Sequence, residues 1–340
     1  MQPNVNITTT TNQYLAPMWV DLVLRDNFFF GEILKKVKSY EGSQMLFPIK
    51  YQKGVASVAF NGFDVLPINQ QPVSVNMTFY PTFVATNVAL AGSDLSQNNT
   101  KMKVLDLMTT TMESRAQDAA DDIGNMFQGD GTAFAGKAPA GLGNIVDDGS
   151  VASTYGGLSR ATYNGLNATV TSTSTISLLK VRQLANSISD GGVRPDFALT
   201  DYNTAAYFEQ LLMPFQQNMY ANGKNTTSAG SGYDTLMWDN IVISKDKKVT
   251  SGTFYLLNTN FLSWYGLKWW EGSSVSVAAK NIVGNVYGEQ PYSSTGKAFS
   301  WTGWIRAYNQ GAINGFMILG GQLICTAPFR QGKLTDITGY

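Results

Sequence analysis

The stretch from Lys101 to Gln128 constrains the fold more than any other. Val104, Met108, Met112, Ala116, Ala119, Ile123 and Phe127 recur every three or four residues, which sets them along one side of an α-helix. Thr100 in front is suited to an N-cap, and Gly129 and Gly131 behind end the periodicity. Such a helix is about 40 Å long, beyond the roughly 8–20 residues usual in globular domains. The chain is therefore expected to be built around a straight strut with one buried side.

The segment before this strut reads as β. Met45-Leu46-Phe47-Pro48-Ile49 is a strand whose proline suits a sheet edge. Val73 to Phe79 alternates apolar and polar, and Phe83 to Leu90 is β-branched and apolar. Between them Val58-Ala59-Phe60-Asn61-Gly62-Phe63-Asp64-Val65 places Asn-Gly among apolar residues, the pattern of a type I′ hairpin turn. Residues 43–90 are thus expected to form a long two-stranded excursion with an aromatic tip. An isolated hairpin is only marginally stable in water, so the tip must fold back or lie on another chain. Lys50, Lys53 and Asp64 are the only charges in this stretch, which favours a covered surface. Residues 1–12 are polar and Thr-rich and are expected to be extended. An amphipathic stretch runs from Pro17 to Arg25, and Phe28-Phe29-Phe30 follows. That aromatic triplet needs a partner, either the chain's own core or a neighbouring subunit.

After the strut, residues 131–170 form a connector rich in Gly, Ala, Ser and Asp, where a domain boundary is expected. Ser174 is placed as the cap of a second helix with Ile176, Leu179, Val181, Leu184, Ala185 and Ile188 as its apolar positions, and Gly191-Gly192 stops it. Phe197 to Thr200 is a short strand, Asp201 caps a helix from Tyr202 to Leu212, and Pro214 is expected to end that helix. A polar loop at 215–234 precedes strands at 236–243, 253–258, 261–269 and 273–279. The last β segments are Phe299 to Ile305 and Phe316 to Ala327. Strands and helices are segregated, so the class is α+β.

Composition removes several functions. The 340 residues contain no His and one Cys, Cys325. A His-based triad, a His-ligated metal, an internal disulfide and a thiolate cluster are therefore impossible within the chain. Lys+Arg and Asp+Glu are 24 each, so no cationic surplus exists to grip nucleic acid. Charged residues are only 14%, against about 25% in an ordinary domain. A surface this neutral suits contact with other chains, or a secreted or carbohydrate-contacting protein. Met1 to Asn6 has neither the basic nor the apolar part of a signal peptide. The uncharged run from Asp64 to Asp94 is broken by Pro67, Pro72 and Pro81. The run from Arg306 to Arg330 is broken by Asn309, Gln310, Asn314 and Gln322 with several glycines. Both read as strands rather than membrane spans.

Motifs that could carry chemistry are weak. Gly131 to Ala138 fits G-x-x-x-x-G-K, but Ala138 replaces the Mg²⁺-binding Ser or Thr and the segment leaves a helix instead of entering one. Asp121-Asp122 and Asp147-Asp148 could pair as hydrolytic carboxylates, yet adjacency does not set the separation that chemistry needs, and solvated carboxylates are expected. Asp147-Asp148-Gly149 lacks the spacing of a Ca²⁺ loop. Trp269-Trp270 with Trp264 and Tyr265 could stack on a sugar, while aromatics in β structure are usually core. Cys325 lies in an apolar strand and is expected to be buried and inert. The expectation is a non-enzyme without cofactor or metal.

The order of these elements resembles the major capsid protein of tailed bacteriophages: a polar arm, a long β excursion, a long straight helix, a compact α/β segment, then closing strands. The texture from Ile176 to Asn186, the turn Gly191 to Asp196, the strand Phe197–Thr200 and the helix capped by Asp201 resembles the opening of that family's axial domain. The resemblance implies an N-terminal arm at 1–37, an extended loop at 38–90 and a peripheral domain at 91–160 with its spine helix at 101–128. It further implies an axial domain at 161–295 and closing peripheral strands at 296–340. The arm starts the chain directly, with no fused scaffolding segment expected. The implied function is self-assembly through pentamers and hexamers into an icosahedral head around double-stranded DNA, with scaffolding, portal and decoration proteins as further partners and the virion as location. Phe28, Phe29, Phe30, Lys50, Lys53, Phe60, Asn61, Gly62 and Phe63 are the implied inter-subunit contacts. Some relatives join a Lys to an Asn covalently between subunits. Lys50 and Lys53 lie where such a Lys could sit, but the sequence identifies no partner, and no link is expected. The competing readings are a carbohydrate-contacting or decoration protein of a virion, and a hydrolase using Asp147 and Asp148.

Overall fold

The computed structural model describes residues 18–19, 22–23, 28–34, 36–40, 42–52, 54, 57–64, 72–97, 101–220, 236–267, 299–301, 304–306 and 311–340. In chain order its strands are β1 (Lys38–Ser39), β2 (Met45–Lys50), β3 (Ser74–Phe79), β4 (Thr82–Ala91), β5 (Thr154–Tyr155), β6 (Leu158–Ser159), β7 (Thr169–Ser172) and β8 (Phe197–Thr200). They continue with β9 (Leu236–Trp238), β10 (Ile241–Lys245), β11 (Phe254–Leu257), β12 (Leu262–Gly266), β13 (Phe299–Trp301), β14 (Ile305–Arg306), β15 (Ala312–Cys325) and β16 (Gly332–Thr335). The longer helices and the N-terminal one are α1 (Phe28–Leu34), α2 (Lys101–Gln128), α3 (Leu178–Ile188) and α4 (Tyr202–Tyr220).

β15 organises the first sheet. One of its edges pairs antiparallel with β4, from Ala312 opposite Ala91 to Gly321 opposite Thr82. The other edge takes β14, β13 and β12 in turn, and β1 adds parallel to β12. Residues 82–91, grouped with the excursion on sequence grounds, therefore belong to this sheet, because the long apolar β15 needs partners along both edges. α2 packs against β4. The stripe expected from its periodicity is its buried side: Met108, Met112, Ala116, Ala119, Ile123 and Phe127 are all buried, with Val104 half-buried against the same core. Gly129 closes the helix by donating its N–H to the Asn125 and Met126 carbonyls at 2.9 and 3.2 Å.

The second sheet runs β7-β16-β11-β8-β10-β9. β8 and β11 are buried at every position. Alternate residues serve two cores. Ala198, Phe254, Leu256, Ile241 and Ile243 meet Val181, Leu184 and Ile188 of α3 and Phe208 of α4. Phe197, Leu199, Tyr255 and Leu257 face the larger core shared with the first sheet. A sheet covered on both faces reads as continuous apolar runs, which is how these strands appear in the sequence. β12 lies in the first sheet and β16 in the second, so the expected division at residues 295 and 296 does not follow the pairing.

Local expectations fare unevenly. Asp201 caps α4 as expected, its Oδ2 accepting the N–H of Asn203 at 3.2 Å and of Thr204 at 3.4 Å. Ser177, not Ser174, caps α3, accepting the Lys180 N–H at 3.3 Å. α4 continues through Pro214 to Tyr220. A proline inside a helix removes only its own bond to the carbonyl four residues back, and the turns on either side persist. The span 236–243 is two strands. Asp239 and Asn240 take φ +50° and +62° and form a two-residue turn that sets Ile241 opposite Trp238. The strand expected at 273–279 lies outside the described residues, as do Thr100 and residues 1–17.

The excursion itself is the β2–β3 ribbon, in register from Met45–Phe79 to Lys50–Ser74. Met45, Phe47, Ile49, Val75, Met77 and Phe79 all belong to or pack against the chain's own core. The ribbon rests on the β5–β6 hairpin, where the Thr78 N–H donates to the Gly156 carbonyl at 2.8 Å. Gly156 has φ +57°, and a Cβ there would stand 2.8 Å from the Met77 Cβ and 3.0 Å from the Phe79 ring. Gly156→Ala combines a left-handed penalty with a clash and is expected to lose about 2–4 kcal/mol of stability. Urea unfolding measures the loss, and faster proteolysis within 45–79 of the folded variant would report a loosened ribbon.

Candidate assembly surface

The ribbon ladder is followed by the Tyr51 N–H to Val73 carbonyl bond (3.1 Å), and residues 57–64 are exposed. At its tip the Asp64 N–H donates to the Asn61 carbonyl at 2.9 Å, and the Asn61 N–H donates to Asp64 Oδ2 at 2.8 Å. The turn is thus centred on Gly62 and Phe63, one residue later than expected, and neither has positive φ. Residues 57–60 are in no ladder, so there is no strand twist for a type I′ turn to match. Phe63 is wholly exposed, Phe60 is 63% exposed and Val58 53%. Lys50 is exposed on the outer face of the ribbon, opposite Ser74. Lys53 lies outside the described residues. Exposed aromatic and aliphatic side chains grouped at one turn are the kind of surface that marks an interaction site.

The aromatic triplet does something else. Phe29 and Phe30 are 2% and 1% exposed, so neither ring has surface left for a neighbour, and the inter-subunit expectation for them is corrected. Phe30 stacks on Phe127 of α2 with ring centroids 4.3 Å apart, and meets Trp264 and Phe299 of the first sheet edge-on at 6.1 and 6.0 Å. Phe29 meets Phe197 of the second sheet at 6.3 Å. With Ile33 and Leu34 also buried, α1 acts as a bolt between the two sheets. The side chain of Phe28 lies outside the described residues.

A buried ionic knot braces the loop on which the ribbon rests. The Asp147 side chain is 0% exposed, which overturns its expected solvation, while Asp148 is exposed. Asp147 Oδ2 accepts the N–H groups of Gly149, Val151 and Ala152 at 2.9, 3.1 and 2.9 Å, and Oδ1 accepts the Ser150 hydroxyl at 3.1 Å. Lys333 Nζ of β16 stands 3.9 Å from Oδ1. Arg160, 1% exposed, donates to the Asp147 carbonyl at 2.8 Å and also to the carbonyls of Leu166 and Asn144. Its guanidinium lies over the Tyr155 ring, 5.2 Å from the centroid. Tyr155 in turn meets Phe79 of the ribbon at 5.2 Å, and Tyr163 meets Tyr51 at 5.0 Å. The charged groups therefore brace the 147–168 loop, and the loop seats the ribbon. A sequence signal for this existed in Asp147-Asp148-Gly149-Ser150, where a short acceptor precedes residues prone to turn.

Burial pushes the Asp147 carboxyl up, but the N–H donors of Ala152, Gly149 and Val151 and the Lys333 ammonium outweigh it and hold the group below its ordinary range. Burial lowers both Arg160 and Lys333 against the pull of Asp147. Cys325 is buried and its thiol is pushed up to about 12 by that burial, consistent with an inert residue.

The remaining motifs resolve into structure. Trp264 is buried in the aromatic core and Tyr265 packs on Phe47 at 5.1 Å, so neither offers a sugar platform. Trp269 and Trp270 lie outside the described residues. The Gly131–Ala138 segment contains Phe134 and Ala135 in the left-handed region and follows the end of α2, unlike a phosphate loop. Asp121 and Asp122 line an open groove of about 620 Å³ between β4 and α2 with Thr86, Asn87, Arg115 and Asp118. There Arg115 pairs with Asp118 and Lys248 with Asp121. Among the described residues no group of three or more Cys, Asp or Glu could hold a metal ion, and no helix is long and apolar enough to cross a membrane.

Asp147→Asn retains the shape but removes the charge facing Lys333, and is expected to lose about 2–4 kcal/mol at neutral pH. A depressed folded pKa contributes stability above the unfolded value, about 3.9 for Asp. That contribution is lost as pH falls through the still lower folded value. The gap between parent and variant, followed by urea unfolding across pH, should therefore be full at pH 5 to 7 and shrink below about pH 4.

By sequence, no protein-family model and no curated protein matches the chain. Solved structures do. A chain of the cyanophage A-1(L) capsid superposes with a TM-score of 0.66 at 13% identity, covering 92% of this chain and 93% of that one. The capsid of a native GTA particle matches with a TM-score of 0.53 at 9% identity over 93% and 90%. The holo-SrpI encapsulin complex from Synechococcus elongatus PCC 7942 matches with a TM-score of 0.50 at 12% identity over 91% and 87%. The two sheets, the long helix packed on the first of them and the β2–β3 ribbon accordingly form an α+β architecture with the fold of these capsid and encapsulin chains.

Proposed function

We propose that this chain is the major capsid protein of a tailed bacteriophage, a structural subunit that assembles with its own copies into an icosahedral head enclosing double-stranded DNA. The observation that carries this reading is the likeness to the cyanophage capsid chain along more than nine-tenths of both chains. In this reading residues 1–37 are the N-terminal arm, the ribbon is the extended loop, α2 is the spine of the peripheral domain, and the second sheet with α3 and α4 is the axial domain. Lys50, Lys53 and the tip from Phe60 to Phe63 contact neighbouring subunits. Scaffolding, portal and decoration proteins and weakly held DNA are further partners, and the chain resides in the virion. The role is structural, not enzymatic.

The physics is collective burial. Each apolar contact contributes about 25 cal/mol per Å². A subunit that meets several neighbours gains from all of them at once, so modest contacts sum to a closed shell. A neutral chain also avoids a strongly cationic wall that would hold DNA against packing and release. The carbohydrate-contacting alternative loses Trp264, which is buried.

Electron microscopy of the purified full chain, alone and with the products of neighbouring genes, is expected to show shells or capsomer rings. A monomer that persists at high concentration in both preparations would overturn the reading. The contents separate a phage head from an encapsulin-like compartment: nuclease-protected DNA supports the first and enclosed protein the second. Deletion of residues 55–66 is expected to leave a soluble, folded subunit that fails to close shells. Normal shells from that deletion would remove the role given to the tip.

A further inference from the structure

Asn-Gly occurs four times in the chain, at Asn61, Asn164, Asn222 and Asn314. Asn222 lies outside the described residues. The fold treats the other three very differently. Asn314 sits inside β15, paired with Ala89 of β4 on one side and Ile305 of β14 on the other, and Gly315 is buried opposite Val88. Asn164 opens a 3₁₀ turn to Leu166, its carbonyl accepting the Asn167 N–H at 3.1 Å, and Gly165 is half-buried. Asn61 and Gly62 are exposed at the ribbon tip, outside any ladder. A Cβ added at Gly62 would meet nothing within 4 Å, and among the described residues the Gly62 N–H has no hydrogen-bond partner.

Those are the conditions under which an asparagine modifies itself. The backbone nitrogen of the following residue attacks the side-chain Cγ. A C–N bond forms, the Cγ–Nδ2 bond breaks, and the amide leaves as ammonia once the nitrogen's proton has passed through solvent to the leaving group. The five-membered succinimide then takes up water and opens to aspartate or isoaspartate. Glycine favours the attack because no side chain shields its nitrogen and its backbone adopts the ring geometry freely. A residue held in a ladder must first give up its hydrogen bonds.

We propose that Asn61 is a site of spontaneous deamidation, selected from the chain's Asn-Gly pairs by the exposure of the ribbon tip, and that its conversion disables the tip as an assembly contact. The second half rests on the shell reading above. Conversion adds a carboxylate beside Asp64, which already binds the Asn61 N–H, and between the exposed rings of Phe60 and Phe63. Burying that new charge against a neighbour is unfavourable without a cationic partner. Isoaspartate would also lengthen the backbone at the turn. Unassembled subunits would thus age out of the assembly-competent pool.

The test is peptide mapping by mass spectrometry of the folded full chain, held in mildly alkaline buffer, with enzymatic methylation as the probe for isoaspartate. The Asn61 peptide should convert at least about tenfold faster than the Asn314 peptide, because release from a ladder raises the barrier for Asn314. The Asn164 peptide should fall between them, and the differences should collapse when the same chain is held in urea. Asn61 converting no faster than Asn314, or a difference unchanged in urea, would overturn the site. Gly62→Ala should slow conversion and leave the fold intact by circular dichroism. For the consequence, Asn61→Asp should give a lower shell yield than both the parent chain and Asn61→Gln, which changes the side chain without adding charge. Equal yields from the Asp variant would overturn the disabling role. A parent chain that forms no shells would count against the shell reading alone, since the peptide map stands without assembly.

Discussion

The backbone of β15 needs hydrogen-bond partners along both edges over most of its length, and that demand arranges much of the molecule. It recruits β4 from the N-terminal half, then β14, β13 and β12 in succession from the C-terminal half. Taking β4 into the sheet shortens the ribbon to β2 and β3 and places α2, which follows β4 in the chain, against the same sheet. Long-range pairing of this kind orders residues more than two hundred positions apart. Its stabilisation comes from satisfying buried backbone groups as well as from apolar contact.

An apolar and a polar interaction hold the body together in different ways. α1 is an apolar bolt, with Phe30 against Phe127, Trp264 and Phe299, and Phe29 against Phe197. The Asp147 knot is polar. Its carboxylate is satisfied mainly by local backbone N–H groups, and Lys333 reaches it from the second sheet. Removing one partner of such a buried set is far more damaging than never having built it, because the rest stay buried and uncompensated. The knot therefore specifies one geometry for the 147–168 loop. Tyr155 and Tyr163 of that loop then pack against Phe79 and Tyr51 of the ribbon segment.

This division would suit the proposed shell subunit, rigid in its body and adaptable at its margins. The inner face of the ribbon base is anchored to its own chain, while Phe60 and Phe63 at the tip are exposed. In the proposed shell, contacts made by such a tip would be individually weak and summed over many neighbours, so that assembly could correct errors before a shell closes. The low charge of the chain keeps like-charge repulsion small when many copies are brought together.

The strut, the short strand Phe197–Thr200 and the Asp201 cap were legible because each is set by local rules: a 3.6-residue apolar period, a continuous apolar run and a side chain that satisfies helix N–H groups. The order of elements was enough to suggest the capsid fold. The aromatic tip was also visible as Asn-Gly set among apolar residues with Asp64 as its one charge. What local rules could not decide was which segments meet. Phe29 and Phe30 look equally ready for a neighbour or for the core until α1 is seen between the sheets. Asp147 and Asp148 are the same residue type in adjacent places, yet one is wholly buried and the other exposed. The sequence by itself determined the helix, most strands and the class of surface at the tip, since those depend on neighbours a few residues away. Only the tertiary structure decided the partner of β4, the burial of Asp147 and the home of the aromatic triplet, because those depend on contacts between segments that are remote along the chain.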